Sequence, residues 1–134
     1  MNVTERVVVS ADPDAVWKVA GDAANVADWV PALESSSLDG DLRRAVLAGG
    51  GGEAFERITE RDDSARTYVY EYESGPLALE FYRSRLSVEP HQQGSEVVWG
   101  AEFRAASDEE AGLAEAISGI YRSGLEELAS RWPA

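Results

Sequence analysis

Cysteine is absent from all 134 residues, which excludes disulfides, thiolate nucleophiles and cysteine-ligated metals. Histidine occurs once, at His91, so no site can rest on two imidazoles. Basic residues are scarce beside acidic ones, 12 against 25, giving a formal net charge of −13. Such a chain repels phosphate backbones and anionic lipid surfaces, so neither nucleic acid nor a membrane surface is an expected partner. No long apolar run follows a basic start. Neither a signal peptide nor a membrane span is therefore expected, and a cytoplasmic location follows by default. HExxH, nucleophile-elbow and paired-carboxylate motifs are also missing. The run Gly49–Gly52 lacks the lysine and following helix that a phosphate loop needs, and reads as a flexible hairpin tip. No resident metal and no cofactor are expected.

What remains is an ordinary globular composition, 44% hydrophobic and 28% charged, without an internal linker. It is read as one domain over residues 1–134. Val3–Val9 is β-branched and predicts a strand. Asp12 is expected to cap a short helix with Pro13 at its first position, and Asp22 to cap a second short helix through Ala27. Short strands are predicted over Leu33–Leu38 and Leu42–Ala48, split by the turn Asp39-Gly40-Asp41. Tyr68, Tyr70 and Tyr72 then alternate with Val69, Glu71 and Glu73. Tyr82, Ser84, Leu86 and Val88 form a similar row, as do Val97, Trp99, Ala101 and Phe103. Period two with one apolar face predicts antiparallel strands buried on one side. Pro90–Gly94 reads as the loop between the last two strands, placing His91 in solvent. Asp108–Trp132 is predicted as one long helix, with Leu113, Ile117, Ile120, Gly124 and Leu128 at spacings of three and four.

The expected fold is α+β: a seven-stranded curved antiparallel sheet around the C-terminal helix, with two short helices after strand one. One helix cannot cover seven flat strands, so the sheet must curl and is expected to leave a cavity. This order resembles the START-like, polyketide cyclase/dehydrase (SRPBCC) superfamily, which includes the birch pollen allergen and lipid-transfer domains. The likeness rests on Asp12-Pro13 with Val16-Trp17, Trp29 with Pro31, Trp99 with Phe103, and Gly119 through Leu125. It extends over nearly the whole chain. It implies a helix-grip fold with a ligand cavity between the sheet and the final helix.

Strand parity nominates Tyr68, Tyr70, Tyr72, Tyr82, Trp99 and Phe103 as one cavity wall. Ile117, Ile120, Tyr121 and Gly124 face it, and Trp29 joins the lining. Among charged residues Glu56 is the candidate acid/base group. It shares parity with Ala54, Ile58 and Glu60, while Arg44 shares parity with Val46, so a Glu56–Arg44 pair at the cavity wall is one expectation. A register with Phe55 inward and Glu56 in solvent is the other. The leading functional expectation is binding of a small apolar or aromatic metabolite, lipid- or polyketide-like, by a monomer or homodimer. A cyclase, dehydratase or isomerase using non-covalent proton transfer is the alternative, with Glu56 as base and tyrosines as donors. A protein-interaction module is the third.

Overall fold

The computed structural model describes residues 1–134. Strand β1 (Asn2–Val9) leads into α1 (Pro13–Ala20) and a 3₁₀ segment, Ala23–Asp28. Six strands follow: β2 (Leu33–Asp39), β3 (Leu42–Leu47), β4 (Glu53–Asp62), β5 (Thr67–Ser74), β6 (Phe81–His91) and β7 (Gly94–Arg104). The chain then forms α2 (Glu110–Ala129). All seven strands join one antiparallel sheet in the order β1-β7-β6-β5-β4-β3-β2. It is a meander whose first strand closes beside its last. The sheet curls around α2 in a helix-grip arrangement, and α2 lies nearest β1 and β7.

Several local expectations need correction. Asp12 and Asp22 occupy the capping positions, but neither carboxylate caps a backbone N–H. The first turn of α1 is closed by the Val16 N–H and the Asp12 carbonyl at 3.1 Å, while Asp22 accepts from the Asn25 side-chain amide at 2.8 Å. Helix α2 has 20 residues, not the predicted 25, and so spans about 30 Å. Asp108 and Glu109 precede it, and Trp132 lies beyond its end, packed partly buried on the core. Strand β3 stops at Leu47, and Ala48–Gly50 makes a short 3₁₀ turn. Only Gln92 and Gln93 separate β6 from β7, and the Gln93 N–H donates to His91 Nδ1 at 3.1 Å.

An irregularity in the β4–β5 pairing decides which residues of the second half of β4 face inward. Pairing runs from Ile58↔Tyr70 to Glu60↔Val69, so Thr59 is an extra residue on β4. A bulge inverts the alternation beyond it. Ala54, Glu56 and Ile58 therefore face α2, whereas Glu60 turns to the outer face and pairs with Arg83 at 2.6 Å. Arg61 swings inward instead, donating to the Gly21 carbonyl at 2.7 Å and lying over the Trp17 ring. The expectation that Glu60 shares a face with Ile58 fails for this reason. The core proper lies between the middle of the sheet and α2, where Leu86, Val97 and Phe103 meet Ile117, Leu125 and Leu128.

Candidate functional site

The concave side is not uniformly apolar. Adjacent strands β3 and β4 bring Arg43 opposite Glu56, both directed inward. Arg43 is 1% exposed, and its Nε donates to Glu56 Oε1 at 2.9 Å. Its Nη1 donates to the Ala23 carbonyl at 3.2 Å and to the Tyr68 hydroxyl at 3.0 Å. The guanidinium carbon sits 4.5 Å from the Tyr70 ring centroid, a cation–π contact in a desolvated place. Burial opposes the Arg43 charge, but Tyr68, Glu56 and Tyr70 outweigh it and hold the pKa above the ordinary arginine value. The Glu56 side chain keeps 14% exposure, and its Oε2 accepts nothing from the protein. The expected Glu56–Arg44 pair does not form: Arg44 points to solvent and pairs with Glu53.

Beside this pair lies a cluster of hydroxyls. Tyr82 and Tyr121 touch through their hydroxyls, and Ser84 Oγ lies 2.8 Å from the Tyr121 hydroxyl. Ser84 also donates to the Gly100 carbonyl at 3.1 Å. Trp99 Nε1 is shared between Ser84 Oγ at 3.1 Å and the Tyr70 hydroxyl at 3.2 Å. The Trp99 ring stacks on Tyr121 with centroids 4.0 Å apart. Burial pushes Tyr82 and Tyr121 well above the ordinary phenol pKa and raises Tyr70 as well. These phenols therefore keep their protons near neutrality, where each can donate a hydrogen bond.

Between these groups and α2 is a cavity of about 90 Å³. The volume suits about three waters, far below the 300–1,000 Å³ of a drug-sized site. Of the predicted residues, Tyr70, Tyr72, Tyr82 and Trp99 line the cavity from the sheet, with Glu56. Ile117, Ile120 and Tyr121 line it from α2. Four others belong to the packing behind it. Tyr68 lies on the far side of Arg43, against Trp17. Phe103 is fully enclosed in the core. Trp29 packs on Trp99 at 5.3 Å, its Nε1 buried without a partner. Gly124 stands where a Cβ would meet the Trp99 ring at 3.2 Å and Trp29 at 3.4 Å, so the close approach there is to tryptophan.

Sequence reasoning missed Arg43 as the buried cation, and Leu77 and Leu79 as lining. The leucines come from the segment between β5 and β6, which carries no alternation to reveal them. Its Leu77 N–H donates to the Tyr72 hydroxyl at 3.0 Å. A broader hollow of about 400 Å³ lies on the outer face over Gly100, bordered by Arg6, Arg83 and Arg85, and is open to solvent.

A family model described as polyketide cyclase / dehydrase and lipid transport matches residues 1–132. The chain belongs to this family. Among solved structures, the protein XoxI from Bacillus cereus is 28% identical, with a TM-score of 0.90 over 98% of this chain and 94% of that one. The di-domain ARO/CYC protein BexL from the BE-7585A biosynthetic pathway is 22% identical, with a TM-score of 0.79 over 97% of this chain and 45% of BexL. Norcoclaurine synthase from Thalictrum flavum, solved with dopamine and hydroxybenzaldehyde, is 18% identical, with a TM-score of 0.73 over 97% and 84%. The last two share the fold of this polyketide cyclase / dehydrase family member. No protein with a curated description matches its sequence.

Proposed function

We propose that the protein binds a small, largely apolar or aromatic metabolite in the cavity between the sheet and α2. The observation that carries this reading is the composition of the wall. Apolar and aromatic side chains make up nearly all of it, and a single buried ion pair, Arg43–Glu56, marks one side. Such a wall gains from apolar contact and fixes orientation through few polar groups. Because the ion pair is internally neutral, a neutral ligand suits the site better than a charged one. A ligand larger than the present cavity requires Leu77 and Leu79 to move, and the segment carrying them has no strand partner to break.

Titration of the ¹⁵N-labelled protein with small aromatic fragments tests the reading. Amide shifts are expected at Tyr70, Tyr72, Tyr82, Ile117 and Ile120, and not on the outer face. Shifts confined to the outer-face hollow, or absent altogether, overturn it.

A second reading, acid/base turnover of the bound molecule, is favoured by one feature. Glu56 borders the cavity with one oxygen held by Arg43 and the other without a protein partner, a placement suited to taking a proton from a ligand. The name of the family and the cyclase-type relatives support it. Under this reading Glu56→Gln abolishes turnover while retaining binding.

A further inference from the structure

We infer that Tyr72 is a positioning residue that sets the largest ligand admitted: its hydroxyl pins residues 75–79 as a strap between the cavity and a second hollow outside it. The inference rests on the proposed binding function and adds a size limit to it.

Residues 75–79 connect β5 to β6 outside the sheet ladder. Pro76 has no N–H to give, and the Leu79 N–H is spent inside the segment, on the Leu77 carbonyl at 2.8 Å. One hydrogen bond ties the segment to the rest of the protein: the Leu77 N–H donates to the Tyr72 hydroxyl at 3.0 Å. Outside bonding resumes only at Glu80, whose N–H donates to the Arg104 carbonyl at 2.9 Å. Gly75 makes the Tyr72 bond possible, since a Cβ there would collide with the phenol oxygen. Tyr72 itself is fixed by its pairing with Glu56 and by an edge contact with the Tyr82 ring, centroids 6.2 Å apart. On the opposite flank stands the glycine turn after β3. A Cβ at Gly52 would come no nearer than 3.8 Å to Pro76, so no side chain of that turn holds the strap.

Space lies on both sides of the strap. The cavity of about 90 Å³ is inside, and a hollow of about 250 Å³ bordered by Glu73, Glu80 and Phe81 is outside. Tyr72, Leu77, Leu79 and Tyr82 line both, so the two leucines form the partition. They are half-buried, while Pro76, Ala78 and Glu80 are exposed. Joined, the two spaces reach the lower end of the roughly 300–1,000 Å³ range of small-molecule sites. A ligand confined to the cavity leaves the Tyr72–Leu77 bond in place. A longer one binds only molecules in which the strap has lifted, so its affinity is reduced by the fraction that is open. Removing the bond raises that fraction.

Benzyl alcohol and 2-naphthylmethanol carry the same polar group and differ by one fused ring. Their dissociation constants would be measured by NMR titration on the wild type and on Tyr72→Phe, which keeps the ring and removes only the hydroxyl. Tyr72→Phe is expected to tighten 2-naphthylmethanol about fivefold, the worth of one neutral hydrogen bond. Benzyl alcohol should stay within about twofold, which also shows that the variant folds. A second readout needs no ligand. Relaxation dispersion at the Ala78 and Leu79 amides, which form no bond with Tyr72, should report an open population about fivefold larger in the variant. Equal changes for the two alcohols, an unchanged ratio between them, or an unchanged open population removes the role from Tyr72 and leaves the binding reading standing. If neither alcohol binds the wild type or the variant, the binding reading fails and the size limit falls with it.

Discussion

At the scale of single residues, Arg43 and Arg44 are neighbours with opposite fates. Arg43 satisfies Glu56, Tyr68 and the Ala23 carbonyl from a desolvated position. Arg44 meets Glu53 in solvent. Truncating one partner of a buried ion pair strands the other, so Arg43→Met is expected to lower stability by about 3–5 kcal/mol in urea denaturation. Arg43→Met combined with Glu56→Met should regain part of that loss, because no charge is then left stranded. Arg44→Met should scarcely move the urea midpoint, since an exposed pair gains little. Equal costs for the two single substitutions would show that the Arg43 pair does not hold the wall together. The sequence Leu42-Arg43-Arg44-Ala45-Val46-Leu47 hides this difference. Either parity places one arginine with two apolar residues, so alternation cannot choose between them.

At the scale of elements, the strands were legible wherever one face was aromatic. Tyr68-Val69-Tyr70-Glu71-Tyr72 admits one inward face, and β5 buries it. What parity could not show was depth. Inward residues divide between core and cavity according to what α2 and the 3₁₀ segment place above them, which is tertiary information. Hence Tyr70 borders the cavity while Tyr68, two residues away, does not. The glycines of α2 divide in the same way. A Cβ at Gly119 meets nothing within 4 Å, whereas one at Gly124 presses on Trp99, Trp29 and Val30. Gly119→Ala should therefore stabilise the protein by roughly 0.5–1 kcal/mol, the helix-propensity gain. Gly124→Ala should lose that gain to overpacking, because Trp99 is already clamped between Tyr121 and Trp29. Thermal denaturation of both variants checks the contrast. An equal gain at the two sites would mean that the tryptophan pair is looser than its packing implies.

For the whole molecule, the hydroxyl cluster ties folding to alkaline pH. Burial raises Tyr82, Tyr121 and Tyr70 above their unfolded value, so the native state keeps protons that the unfolded chain releases near pH 10. Stability from these groups is complete below that pH. It falls as pH climbs above it, toward the raised native values. Urea midpoints across the alkaline range should decline from about pH 10, with tyrosinate absorbance from these residues appearing together with unfolding. Phenols that ionise while the fold persists would contradict this. The cluster spans β5, β6 and α2, so its ionisation loosens the sheet from the helix it grips.

Thr59 gives β4 two allegiances. Before that extra residue the strand furnishes Ala54 and Glu56 to the cavity; after it, Arg61 braces the corner made by Trp17, Gly21 and Tyr68. Cavity lining and scaffold are thereby uncoupled along a single strand. Substitutions that reshape the cavity in the first half leave the second half free to go on holding α1 in place.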